Sequence, residues 1–220
     1  MNLWQPVTNA LLSTLFAPPC ATCATTLDTP LEGAVCRSCW AILERLPPHV
    51  FSIAPSIRMA TALGEYDGLL RDAIHALKYD GRRTVSPGLS RMMARRGYDV
   101  LEGADLVVPV PLHRARQRER GFNQSDALAT GLNRTICRAL RRTRSTRPQV
   151  DLTAHERHEN VAEAFSTSRE ANQTRGRIVV LVDDVTTTGA TLDACARVLL
   201  AAGAREVRAL TAARVSTAPR

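Results

Sequence analysis

The chain is predicted to adopt an α/β architecture, a mostly parallel sheet flanked by helices, with a small cysteine-bearing module ahead of it. Three observations predict this. Ile178-Val179-Val180-Leu181-Val182 is an aliphatic run without polar alternation, the pattern of a strand buried on both faces of a parallel sheet. That run passes through Asp183 and Asp184 into a threonine-rich turn. A helical pattern through Leu192, Ala196, Leu199 and Leu200 follows, with Gly203 placed to close it. Finally, Cys20-Ala21-Thr22-Cys23 and Cys36-Arg37-Ser38-Cys39 form two Cys-x-x-Cys pairs, twelve residues apart, as in a tetrahedral metal knuckle.

From the N-terminus, Leu3, Val7, Leu11 and Leu15 fall four apart and predict a short amphipathic helix that Pro18 and Pro19 end. Trp4 and Phe16 are expected to pack on the neighbouring module. The cysteine pairs are read as a structural Zn²⁺ site, because four thiolates fill the coordination sphere. Two disulfides or four free thiols are the alternatives, and a reducing compartment disfavours the first. Leu46-Pro47-Pro48 reads as a linker, dividing an N-terminal unit over 1–47 from a larger domain over 48–220.

Arg58–Tyr66 reads as a strand, and Leu69–Tyr79 as a helix stopped by Asp80-Gly81. His75 on that helix receives no catalytic role. A second helix covers Pro87–Arg96, with Arg91, Arg95 and Arg96 toward its C-terminal end. Ala104–Val108 is a second buried strand. It runs into Pro109-Val110-Pro111-Leu112-His113-Arg114 and a basic stretch containing Arg116, Arg118 and Arg120, before a helix capped by Asn123 that reaches Leu132. Thr135–Arg147 is a basic edge strand carrying Arg138, Arg141, Arg142, Arg144 and Arg147. Nucleic-acid contact and solvated edge charge are both open there. Pro148–Gln173 is polar with little periodicity, and His155 and His158 within it are read as exposed. Glu206–Ala213 is the last strand, and 216–220 a frayed tail. Cys137 and Cys195 sit in apolar patterns and are read as core thiols.

Lysine and arginine number 29 against 21 acids, a net charge of +8, which favours phosphate-bearing partners. Aromatic residues make up 4%, too few for an evident base-stacking surface. No apolar run reaches membrane-spanning length. The short Leu11–Phe16 run has no basic residue before it, Arg37 being the first, so no secretory signal is read and the chain is expected in the cytoplasm.

The chemistry concentrates at 183–191. A strand-to-helix turn leaves backbone N–H groups unpaired, and with the helix dipole they seat an anion. Val185-Thr186-Thr187-Thr188-Gly189-Ala190-Thr191 supplies such a turn, with hydroxyl donors and a glycine for close approach. Asp183 and Asp184 repel phosphate and suit hydroxyl groups, or water on a divalent cation. A phosphate cradle beside a diol contact fits a sugar phosphate. No Gly-Lys-Thr/Ser follows, which excludes a Walker loop.

The four apolar residues, two acids and threonine/glycine loop resemble the phosphoribosyl-pyrophosphate loop of type I phosphoribosyltransferases. The segments Leu77-Lys78-Tyr79-Asp80-Gly81, Val108-Pro109-Val110-Pro111-Leu112-His113 and Arg120-Gly121-Phe122-Asn123-Gln124, with the cysteine quartet, Asn160 and Phe165, extend the resemblance to the ComF family from Cys20 to Arg214. The resemblance implies a type I phosphoribosyltransferase fold with a zinc-ribbon-like module, and a role in DNA uptake in natural competence or in use of external DNA. It further implies that Asp183 and Asp184 hold the ribose hydroxyls and that Val185–Thr191 wrap the 5′-phosphate. Pyrophosphate with Mg²⁺ would lie near Pro109, Val110, Pro111, Leu112, His113, Arg114, Arg118 and Arg120, and Arg157 and Asn160 would help a mobile loop to close. Where purine-salvage relatives carry an acid as proton acceptor, this chain has Thr187, which disfavours purine-base chemistry. Three functions stay open: transfer of phosphoribose to an unidentified amine or base, single-stranded DNA handling with other competence proteins, and ligand sensing without turnover.

Overall fold

The computed structural model describes residues 18–143 and 164–216. The predicted N-terminal helix, with Trp4 and Phe16, lies outside the described residues. So do Arg144, Arg147, His155, His158 and the closing-loop pair Arg157 and Asn160.

In chain order the elements are α1 (Arg37–Leu43), β1 (His49–Phe51), β2 (Ala60–Ala62), α2 (Gly68–Tyr79), α3 (Ser86–Arg96), α4 (Tyr98–Leu101), β3 (Leu106–Pro109), α5 (Arg114–Arg120), α6 (Gln124–Thr130), β4 (Leu140–Arg142), β5 (Phe165–Thr167), β6 (Ile178–Thr186), α7 (Ala190–Ala201) and β7 (Glu206–Arg214). The main sheet has the order β1-β2-β7-β6-β3. All its pairings are parallel except β1 with β2 at the edge. A separate antiparallel pair joins β4 to β5.

The aliphatic run of β6 is explained by its place. It is bonded to β7 on one side and β3 on the other, and its side chains enter two cores in alternation. Val180 and Val182 pack with Leu70, Leu77, Leu89 and Leu128, while Val179 and Leu181 pack with Leu192, Cys195 and Leu199. Helices therefore cover both faces, as the absence of alternation demands. Cys137 and Cys195 are both fully buried, as expected.

Three stretches differ from expectation. Within Arg58–Tyr66 the ladder is confined to Ala60–Ala62, although Arg58, Leu63 and Tyr66 still donate backbone hydrogen bonds to β7. The basic stretch after His113 is helix α5. It buries no residue, so no apolar period announces it, and arginine, alanine, glutamine and glutamate supply the helical propensity. The polar stretch ending at Gln173 contains β5, too short to show a period.

The cysteine module packs directly on the sheet domain. Cys20, Leu27, Val35, Cys39 and Leu43 share a core with α2 and α3. Trp40 lies so close to α3 that a Cβ on Gly88 would stand 2.3 Å from its ring.

Candidate functional site

At the carboxyl end of β6 the strand does not stop at the acids, as the sequence suggests. It continues through Asp183, Asp184 and Val185 to Thr186. Thr187 and Thr188 make the turn, and Gly189, at φ +79°, hands the chain to α7. A Cβ on Gly189 would sit 2.2 Å from Ile53 Cγ2, so this position needs glycine for both conformation and space. The first turn of α7 lines a cleft of about 390 Å³, at the edge where ligands of open α/β sheets bind, and the Ala190 amide donates to Thr188 Oγ1 at 3.4 Å.

Neighbouring strand residues point to opposite faces, and the two acids accordingly have different partners. Asp184 faces α2, where Lys78 Nζ lies 2.8 Å from its Oδ1. Its Oδ2 is buried without a hydrogen-bond partner among the described residues. Asp183 accepts from Ser125 Oγ at 2.8 Å and from the Asp184 amide at 2.9 Å. Burial, and then the charge of Asp184, push the Asp183 carboxyl up to about 7, against the Ser125 hydroxyl, the Asp184 amide and Lys78. Arg116 and Arg120 of α5 and Arg142 of β4 also line the cleft. Arg120 lies over the Tyr79 ring at 4.9 Å and Arg142 over Phe165 at 5.3 Å. The cleft thus opposes two carboxylates with four cations.

Every residue from Asp183 to Thr191 lines this cleft, together with Val110, Pro111, Leu112 and Arg120. Pro109 and Arg114 line an adjoining cleft of about 450 Å³, beside Arg83, Phe122, Arg138 and Arg141. The His113 ring accepts from Ala115 N at 3.3 Å and caps α5. Arg118 is exposed and lines neither cleft. Lys78, Tyr79, Arg116, Gln124, Ser125 and Arg142 also line the first cleft; from the sequence Arg116 and Gln124 belong to a basic stretch expected to meet ligand and Arg142 to a basic edge strand, but none of the six is assigned a place in the sugar-phosphate site. Lys78 and Tyr79 do lie inside one of the family-like segments. Ser125 follows another, and Arg142 is legible only as one of several basic residues on an edge strand.

The four predicted cysteines come together as one cluster, their sulfur atoms all within 4.8 Å of one another. Cys23 and Cys36 sulfurs are 3.8 Å apart, close to the edge of a tetrahedron with bonds of about 2.3 Å. Burial pushes the Cys20 thiol up, but the Thr22 hydroxyl and the amides of Cys36, Thr22 and Cys23 outweigh it and bring it to about 6. Burial, reinforced by the neighbouring thiols, pushes Cys39 up to about 12. Four sulfurs this close cannot all carry charge without a cation among them. The donor set therefore fits a thiophilic metal.

These features define a phosphoribosyltransferase-type domain, and a phosphoribosyl transferase domain model matches residues 120–219. The "DNA utilization protein YhgH" of Escherichia coli (strain K12) is 37% identical over 181 residues, 77% of this chain and 74% of that protein. "Competence protein F" of Haemophilus influenzae is 30% identical, over 79% of this chain and 81% of its own. "Competence protein ComFC" of Bacillus subtilis is 27% identical, over 77% and 68%. The chain belongs to the ComF family. Among solved structures, the allosteric regulatory enzyme of purine biosynthesis aligns over 58% of this chain and 25% of that one, at 22% identity and a TM-score of 0.39. That likeness is too slight to bear on the fold. No helix among the described residues is long and apolar enough to cross a membrane.

Proposed function

We propose that the cleft binds phosphoribosyl pyrophosphate with Mg²⁺, and that the protein serves the DNA uptake or utilisation after which its relatives are named. The observation that carries this reading is the continuity of Asp183 and Asp184 with the threonine/glycine turn at the start of α7. In this reading the two carboxylates accept hydrogen bonds from the pentose hydroxyls. The Val185–Thr191 amides and hydroxyls donate to the 5′-phosphate. Arg116, Arg120 and Lys78 face the pyrophosphate, beside Val110, Pro111 and Leu112. Mg²⁺, when bound, would neutralise and orient the two phosphoryl groups. Pro109, His113, Arg114 and Arg118 then serve the loop's shape and the neighbouring surface. Arg157 and Asn160 remain assigned to loop closure. Phosphoribose transfer, if performed, goes to an acceptor needing no acid at Thr187.

The cysteine cluster takes Zn²⁺ as a structural ion, and the domain boundary falls between 47 and 48. The protein acts in the cytoplasm. A second reading, single-stranded DNA along the adjoining cleft, is favoured by Arg83, Arg114, Arg138, Arg141 and Arg142 gathered beside Phe122. Such binding should weaken steeply with salt.

Calorimetry tests the main reading. Phosphoribosyl pyrophosphate with Mg²⁺ should bind the wild type, and Asp183→Asn with Asp184→Asn should weaken it by about a hundredfold, roughly 3 kcal/mol. Unchanged affinity in the double variant would remove the acid pair from the site.

A further inference from the structure

Of the 29 lysines and arginines in the chain, only Lys78 is a lysine. Everywhere else that this protein places a permanent cation it uses arginine, including the other three cations of the cleft. The exception sits on the acid pair. Lys78 Nζ is 2.8 Å from Asp184 Oδ1, with the two side chains 14% and 6% exposed. The second oxygen of Asp184 is buried and without a partner among the described residues. Lys78 also lines a neighbouring opening with Arg116, Glu119 and Arg120, so the same ammonium borders both Asp184 and the cations assigned above to pyrophosphate.

The two basic side chains behave differently at such a place. A guanidinium would clasp the carboxylate through two parallel N–H bonds. An ammonium is a single point charge on a flexible four-carbon stem and can exchange one oxygen for another. The field in the cleft also matters. Lys78, Arg116, Arg120 and Arg142 outnumber Asp183 and Asp184, so a bare divalent cation meets net repulsion and an ammonium already on Asp184. A metal carried by a diphosphate arrives as a net anion, and its phosphoryl oxygens offer the ammonium a new seat.

We propose that Lys78 is a movable counter-ion: it occupies Asp184 in the empty site, bars a bare divalent cation, and transfers to a phosphoryl oxygen when the metal arrives on a sugar diphosphate. Asp184 is then released to a pentose hydroxyl. Lys78 acts as a positioning and selectivity residue that orders the binding, metal with diphosphate and never metal first. The proposal rests on the sugar-diphosphate reading of the cleft, and its test separates the two.

A single lysine permits the test on the wild-type chain. Reductive ¹³C-methylation keeps the positive charge and labels only Lys78 and the α-amine, whose resonances are distinguished in Lys78→Arg. Mg²⁺ alone should leave the Lys78 signal in place, whereas Mg²⁺ with phosphoribosyl pyrophosphate should shift it. In parallel, Lys78→Met should bind Mn²⁺ alone about tenfold or more tightly than wild type by paramagnetic resonance. Lys78→Arg should exclude Mn²⁺ and bind the sugar diphosphate more weakly than wild type. A calorimetrically bound sugar diphosphate that leaves the Lys78 resonance unmoved overturns the proposal while sparing the binding reading. Equal Mn²⁺ affinity in wild type and a folded Lys78→Met overturns it as well. Absence of any heat with the sugar diphosphate overturns the binding reading instead, and the Mn²⁺ comparison still decides whether Lys78 bars the metal.

Discussion

Replacing Asp183 by asparagine should change how the empty protein's stability responds to pH. In the folded chain its carboxyl is pushed from 3.8 up to about 7, by burial first and by Asp184 second, with Ser125, the Asp184 amide and Lys78 opposing. Between those two values the native state binds a proton that the unfolded chain has released. Stability therefore falls as pH rises through this window, and levels off above it. Each pH unit is worth about 1.4 kcal/mol, so the interval from pH 5 to 7 sets a ceiling of about 3 kcal/mol. The carboxyl lies at the wall of a water-accessible cleft, which reduces the expected loss to about 1–2 kcal/mol. Urea midpoints measured from pH 5 to 8 read this directly, as a drop of about 0.5–1 M in wild type. Asparagine keeps the shape and cannot ionise, so Asp183→Asn should be more stable than wild type at pH 8 and should lose this part of the slope. The difference between the two curves isolates Asp183. Parallel pH profiles for wild type and variant would refute the reasoning.

Two further changes probe the turn and the metal cluster. Gly189→Ala forces a left-handed φ on alanine and drives its Cβ toward Ile53. It should cost about 2–4 kcal/mol in urea unfolding and weaken sugar-diphosphate binding through the distorted turn; an unaltered midpoint would show that the loop is not held as described. Cys39→Ser should lower bound zinc from about one per chain toward none and reduce the melting temperature by about 10 °C or more. Metal analysis finding no zinc in the wild type would remove the ion from the account of the cluster.

What the sequence made legible was local. β6, its turn and α7 are contiguous, and a buried central strand advertises itself because covering both faces removes polar alternation. The cysteine pairs carry their spacing in the same way. What it hid came from a distance or lacked a period. α5 has no apolar face to repeat, and the three-residue strand β5 is too short to show alternation. Lys78 fits a helical pattern that accounts for it as an ordinary last-turn cation. Only folding brings it to Asp184, more than a hundred residues later in the chain. Arg142 reaches the cleft from an edge pair outside the main sheet. The division is physical. The proposed phosphate and pentose contacts all fall on one strand–turn–helix, β6 to α7. The cations that set the cleft's charge are recruited from α2, α5 and β4, so the proposed selectivity for a metal-bearing anion rests on tertiary structure. Changes confined to 183–191 should therefore alter affinity for the sugar phosphate, whereas changes at Lys78 should alter which charged species enters first.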